Sequence, residues 1–157
     1  MSMKARLRSE LVARLRADLV VAERSQEATR EGATHEENRP ENDKDTRALE
    51  QSYLARGQAR RVAELRTEVA LVQGMPVRDL TDDDPIALGA LVLVEENERE
   101  RTLLVAPGGG GAALEGDVLV VTPSSPLGRA LLGKRAGDDV ELPAAGRTRS
   151  LTVTGVR

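Results

Sequence analysis

Two long stretches with apolar residues at helical spacing, separated by one break, constrain the fold of this chain most. Leucine recurs at four-residue steps in residues 4 to about 31, and residues 46 to about 73 carry a second stripe that strengthens after Val62. Pro40 would break the hydrogen bonds of a helix interior, so the turn between the helices belongs near residues 34–45. The pattern predicts an antiparallel α-helical coiled-coil hairpin, because each helix needs the other to cover its apolar face. The predicted seam consists of Leu7, Leu11, Val12, Leu15 and Leu19 in the first helix, and of Ala48, Gln51, Ala55, Ala59, Val62, Leu65, Val69 and Val72 in the second.

The apolar period changes after Gly74-Met75-Pro76, where the second helix is expected to stop. Short β-rich runs broken by Gly, Pro, Asn and Asp follow as far as the last residue. Ser125-Pro126 predicts the N-cap and first turn of one short helix, and Gly133 its C-terminal stop. We therefore predict an α+β fold. Its parts are a helical hairpin over 1–75, a linker over 76–85 and a small β-sheet domain with one short helix over 86–157.

Composition excludes several classes of protein and site. The chain has no Cys, which excludes disulfides and cysteine metal sites, and its aromatic residues are limited to Tyr53. The single histidine, His35, is a poor metal signal and favours a surface role. No stretch approaches the roughly 18 apolar residues of a membrane span, and the start lacks a signal-peptide pattern. We expect a cytoplasmic monomer without a membrane partner.

Within the stretch HEENRPENDKDTRALE, residues 35–50, five carboxylates fall in residues 36–45, at the expected tip of the hairpin. Acidic side chains bind hard cations such as Mg²⁺, which keeps some of its ligands as water or phosphate. The pattern is compatible with a partial metal site completed by another molecule. Composition alone favours the alternative, a solvated loop that charge keeps soluble. These carboxylates belong to Glu36, Glu37, Glu41, Asp43 and Asp45.

The second half of the chain contains a glycine run and a set of basic residues. APGGGGAAL, residues 106–114, lacks the Lys-Ser/Thr ending of a P-loop and predicts a hairpin turn between two strands. A basic patch is predicted on the second half of the chain, where the absence of aromatic platforms argues against sequence-specific nucleic-acid reading. Contact of this patch with a protein or with a phosphate backbone stays open. Its residues are Arg129, Lys134, Arg135, Arg147 and Arg149.

The segment VVTPSSPLGRALLGKRAGDDVEL, residues 120–142, resembles a stretch of the bacterial transcript-cleavage factors GreA and GreB. It shares their strand, Ser-Pro-Leu, helix, Gly-Lys, acidic pair and Val-rich strand, and the second helix resembles theirs too. The resemblance implies an FKBP-like C-terminal domain and a hairpin that enters the secondary channel of bacterial RNA polymerase. There the acidic tip would help to hold Mg²⁺ of the polymerase and a water near the 3′ end of the nascent RNA. The protein would stimulate cleavage of backtracked RNA as an accessory factor, not an enzyme, with no cofactor of its own.

The resemblance also implies roles for particular residues. Glu41-Asn42 matches the Glu-Asn step of the family's tip, but Asn38 stands where the family has Asp. An amide is a weaker Mg²⁺ ligand and cannot act as a base, so a neighbouring carboxylate has to replace it. The candidate tip residues are therefore Glu41, Glu37 and Asp43. The candidate polymerase contacts are Ser125, Arg129 and Lys134, with Leu127, Leu131 and Leu132 expected in the core.

Two functions are alternatives to cleavage stimulation. A channel-binding regulator or inhibitor without cleavage activity is favoured by Asn38. A stand-alone peptidyl-prolyl isomerase or chaperone is suggested by the FKBP-like domain. The second half of the chain has no aromatic residue to line a proline pocket, so we predict no isomerase activity.

Overall fold

The structure is a computed structural model that describes residues 1–36 and 44–157, and the side chains of residues 1–32 and 46–157. Two long helices come first, and a six-stranded sheet with one short helix follows, so the predicted α+β fold is confirmed. Within the described residues, no helix has an apolar stretch long enough to cross a membrane. The elements are α1 (Met3–Glu36), α2 (Lys44–Gln73), β1 (Leu91–Glu96), β2 (Arg99–Val105), β3 (Ala113–Leu114), β4 (Val118–Val121), α3 (Pro126–Leu131), β5 (Asp139–Ala144) and β6 (Arg147–Val156).

The chain divides into two compact units. The sheet unit combines Met1–Val12 with Ala70–Arg157, and the hairpin unit consists of Ala13–Val69. Each long helix therefore contributes residues to both units. The limits of the predicted domains, at residues 75 and 86, stay predictions.

In the hairpin unit, α1 and α2 pack side by side. Leu15, Val62 and Leu65 are buried, and the Gln58 Nε2 amide donates to the Ser25 carbonyl at 3.2 Å. The predicted weakening of the stripe toward residue 50 is confirmed. The seam positions predicted at Ala48, Ala55 and Ala59 are wrong, because all three are exposed. Gln51, which was also predicted in the seam, is half-buried, as are Gln26 and Gln58.

The strands form one sheet in the order β3-β4-β2-β1-β6-β5. Every neighbouring pair is antiparallel except β2 and β4, which are parallel. One face carries a cluster of buried Val and Leu residues from β1, β2, β5 and β6, and Leu131 of α3 packs into the same cluster. The opposite face also buries apolar side chains, at Leu91 and Leu104.

The glycine run does not form the predicted hairpin. It leads from β2 to β3, which pairs with β4, and β4 runs parallel to β2. Two parallel strands cannot be joined by a hairpin, because the chain has to return to the starting end of the first strand before the second begins. The segment between β2 and β4 is therefore a crossover connection. Gly109 has φ +75, and a Cβ added there would lie 2.5 Å from Leu11 Cδ1. The glycines thus let the loop approach the first turns of α1.

The N-terminal turns of α1 are fastened to the sheet unit by polar contacts. Lys4 Nζ donates to the Arg78 carbonyl at 2.8 Å, and Arg8 Nη1 donates to the Met75 carbonyl at 2.8 Å. Lys4 is buried, and this desolvation lowers the pKa of its ammonium group, against an opposing effect of Asp79. These two basic residues therefore hold the connector after α2.

Candidate functional site

The predicted tip lies at the junction of α1 and α2. α1 ends at Glu36 and α2 begins at Lys44, so the connection between them carries Glu37, Glu41 and Asp43. The side chains of these three residues lie outside the described part of the chain, and their roles stay predictions. Among the side chains that the structure does describe, no group of three or more His, Asp or Glu residues is placed to hold a metal ion.

The second predicted site lies at the entry of α3. Ser125 is the N-cap: its Oγ accepts from the Gly128 N–H at 3.0 Å and donates to the Thr122 carbonyl at 2.8 Å. The predicted cap and the stop at Gly133, which has φ +83, are confirmed. Because both hydrogen bonds of Ser125 are internal, its hydroxyl fixes the direction of α3.

The other predicted contact residues lie on and after α3. The exposed Arg129 donates through Nη1 to the Ser124 carbonyl at 2.8 Å. Lys134 is exposed, and its backbone is held because its carbonyl accepts from the Ile86 N–H at 2.8 Å. Arg129 and Lys134 therefore present exposed positive charges at positions that hydrogen bonds to the backbone hold in place.

The leucines of α3 only partly match the prediction of a core role. Leu131 is fully buried and Leu127 packs against the core, as expected. The prediction for Leu132 is wrong, since it is 36% exposed. Leu132 is the C-cap, and its extended backbone (φ −55, ψ 130) leaves the helical stripe on which the prediction relied.

The predicted basic patch separates into different environments. Arg135 Nε donates to the Asp83 carbonyl at 3.0 Å, near the loop that precedes the sheet. Arg149 makes two 3.0 Å hydrogen bonds to the Glu96 carboxylate. These bonds hold the pKa of Glu96 below its ordinary value, and the positive charges of Arg101 and Arg147 act in the same direction. Sequence reasoning missed Arg101; the alternation Arg99-Glu100-Arg101 could have shown that Arg99 and Arg101 share one face of a strand, but not which strands lie beside it.

The sequence model of the family described as "Transcription elongation factor, GreA/GreB, C-term" matches residues 81–157, which contain the whole sheet and α3. Residues 81–157 are therefore a GreA/GreB C-terminal domain. The resemblance seen in residues 120–142 is confirmed.

Individual GreA relatives match over a longer stretch of the chain. The transcription elongation factor GreA of Cereibacter sphaeroides is 33% identical over 97 residues, which are 62% of this chain and 62% of the relative. GreA of Rhodospirillum rubrum is 33% identical over 98 residues, 62% of this chain and 60% of the relative. The chain thus spans about 60% of the length of the curated GreA relatives it matches.

Two solved structures are similar to this chain at low sequence identity. Gfh1 of Thermus aquaticus has 18% identity and a TM-score of 0.42, with 92% of each chain covered. The elongation factor GreA/GreB of Nitrosomonas europaea has 20% identity and a TM-score of 0.37, with 59% of this chain and 78% of that chain covered.

Proposed function

We propose that this protein is a transcription elongation factor of the GreA/GreB type that binds bacterial RNA polymerase and stimulates cleavage of backtracked RNA. The observation that carries the proposal is the match of residues 81–157 to the family's C-terminal domain. Two long helices precede that domain and meet at a short acidic connection, which is the arrangement that such a function needs.

The hairpin would deliver its tip into the secondary channel of the polymerase. α1 has 34 residues, so at about 1.5 Å per residue it extends roughly 50 Å. Glu41 would act as the principal tip carboxylate, with Glu37 and Asp43 beside it. Their oxygens are the donor type that Mg²⁺ accepts from proteins, and few are needed because the ion keeps water ligands.

In this proposal the chain contributes position and charge, and the polymerase contributes the reaction. The tip carboxylates would orient a water next to the nascent RNA 3′ end, while Mg²⁺ of the polymerase supplies Lewis-acid chemistry. The protein is therefore an accessory factor. The exposed Arg129 and Lys134 would contact the polymerase, and Ser125 would set the direction of the helix that presents Arg129.

A transcript-cleavage assay tests this proposal. Backtracked complexes of the cognate polymerase are mixed with Mg²⁺ and the wild type, Glu41→Ala or Glu64→Ala. Glu64 is an exposed carboxylate on the stem of α2, so its removal changes the net charge equally. We expect the wild type and Glu64→Ala to shorten the RNA. Glu41→Ala should be about 10- to 100-fold slower, the loss typical of groups that orient a metal site.

The same assay separates the remaining outcomes. Asn38→Asp restores the carboxylate that the family carries and should increase cleavage. If no variant shortens the RNA while the protein still competes with a known cleavage factor for the polymerase, the protein is a regulator without cleavage activity. Failure to bind the polymerase at all would refute the proposed function.

A further inference from the structure

Charged side chains of opposite sign lie on opposite faces of the sheet at one of its ends. The turns at residues 97–98 and 145–146 are both at this end, because β6 runs antiparallel to both β1 and β5. Strand residues alternate between faces, and directly paired residues share a face. One of the two faces carries the buried cluster further along the strands.

The register places arginines on that face. Arg101 pairs with the buried Val94, and Arg149 pairs with the buried Leu142. The next same-face position on each strand is also an arginine. We call the resulting group the arginine face; it consists of Arg99 and Arg101 of β2, Arg147 and Arg149 of β6, and Glu96 of β1.

The opposite face of the same strands is acidic. Glu95 of β1 pairs directly with Glu100 of β2, and Asp139 and Glu141 of β5 lie on that side as well. Like charges placed directly opposite each other destabilise a sheet. The direct pairing of Glu95 with Glu100 therefore lowers the stability of the fold. A charge arrangement that lowers stability is expected to persist where it serves a function.

The arginine face is arranged around one carboxylate. Glu96 receives two 3.0 Å hydrogen bonds from Arg149, and its side chain is only 16% exposed. Arg101 and Arg147 are exposed, and their charges reach Glu96. Four guanidinium groups against one carboxylate leave a net positive surface, although the whole chain has a net charge of −3.

We propose that the arginine face binds the phosphate backbone of a nucleic acid without reading its sequence. Guanidinium groups match phosphate oxygens bidentately, and same-face residues two apart in a strand are about 7 Å apart, so neighbouring arginines can contact successive phosphates. Residues 86–157 contain no aromatic side chain, so base stacking is not available.

The chemistry of this face favours nucleic acid over a protein partner. The centre of a stable protein interface normally contains apolar or aromatic anchors. Within residues 86–157 the exposed large apolar residues are Leu88 and Leu132, and neither belongs to a strand of the arginine face. The inference goes beyond the proposed function and needs no polymerase for its test.

Salt-dependent binding of nucleic acid provides that test. Fluorescence anisotropy would measure the affinity of the full chain for a labelled single-stranded RNA and for a DNA duplex at several salt concentrations. The test variant is Arg101→Gln/Arg147→Gln, which leaves the Arg149–Glu96 pair in place. The matched control is Arg60→Gln/Arg66→Gln, two exposed arginines of α2.

Losing two phosphate contacts should lower affinity for single-stranded RNA on the order of tenfold at 0.1 M salt. It should also reduce the slope of log affinity against log salt by about 1.4. The control should retain the wild-type affinity and slope. Equal losses in both variants, or no loss in the test variant, would overturn the proposal.

Discussion

At the residue scale, the first turn of α3 depends on the Thr122 carbonyl and on glycine at position 128. The Thr122 carbonyl accepts hydrogen bonds from both the N–H and the Oγ of Ser125. Gly128 lies so close that an added Cβ would be 1.8 Å from the Thr122 oxygen. The Ser-Pro-Leu-Gly sequence therefore encodes both a helix cap and a close approach of α3 to the end of β4.

Gly128→Ala should destabilise the protein by about 2 kcal/mol or more, because the backbone of residue 122 would have to move. Gly57→Ala is the matched control: Gly57 lies in α2, where an added Cβ meets nothing within 4 Å. This control should stabilise the protein by about 0.5–1 kcal/mol. Urea unfolding followed by circular dichroism measures both. Equal stability of the two variants would contradict the close approach at Thr122.

The Glu96–Arg149 pair predicts part of the acid sensitivity of the fold. Arg149 holds the pKa of Glu96 below its ordinary value, so the unfolded state binds a proton more readily than the folded state. The stabilisation is complete above the ordinary glutamate pKa of about 4.3, and is lost as pH falls through the lower folded pKa. Glu96→Gln should therefore reduce the loss of stability between neutral and acidic pH.

Thermal unfolding of the wild type and Glu96→Gln between pH 7 and pH 3 measures this difference. Glu98→Gln, on the neighbouring turn, is a suitable control because Glu98 is exposed. Parallel curves for the wild type and Glu96→Gln would show that the pair does not contribute.

At the element scale, the β1–β2 hairpin is closed by a turn that its sequence fits only in part. Glu96 pairs with Arg99, which leaves Asn97 and Glu98 as the two turn residues, with φ 52 and φ 64. Positive φ at both positions is the type I′ geometry, for which Asn-Gly is the preferred pair. Asn97 suits the first position, whereas Glu98 occupies a conformation that costs a residue with a Cβ about 1–2 kcal/mol.

Glu98→Gly should consequently stabilise the protein by about 1 kcal/mol, with the fold unchanged. Glu141→Gly makes the same substitution in the interior of β5 and should destabilise the protein by a similar amount, because glycine weakens a strand. Chemical denaturation compares the two. If Glu98→Gly is destabilising, the turn does not have the type I′ geometry.

At the scale of the whole molecule, the sheet unit is built from both ends of the chain. Its first segment is Met1–Val12, and Leu11 in that segment packs against the glycine run at Gly109. Glu10 accepts the Glu115 N–H at 3.0 Å beside this contact. The first turns of α1 are therefore part of the packing of the sheet unit.

Leu11→Ala should lower the free energy of unfolding by about 2–5 kcal/mol, since Leu11 is fully buried. Hydrogen exchange should also become faster around Gly109, which packs against Leu11. Leu54→Ala removes an exposed leucine of the hairpin unit and should change stability by less than about 0.5 kcal/mol. Unchanged exchange in the glycine run of Leu11→Ala would argue against the contact.

Sequence by itself determined the elements with strong local signals. Apolar spacing and Pro40 predicted both long helices, and Ser125-Pro126 with Gly133 predicted the limits of α3, because caps and breakers act through neighbouring backbone groups. The order of the strands was decided only by tertiary structure. Four glycines permit many turns, and it was the parallel pairing of β4 with β2 and the packing of Gly109 on Leu11 that selected a crossover.

The grouping of the charged surface residues was likewise predicted from the sequence only in part. Residue spacing along the chain grouped Arg147 and Arg149 with Arg129 and Lys134, but strand register places them with Arg101 around Glu96. Alternation along a strand is visible in the sequence, whereas the choice of neighbouring strand is not. That choice depends on long-range burial of β1 between β2 and β6, which no local pattern encodes.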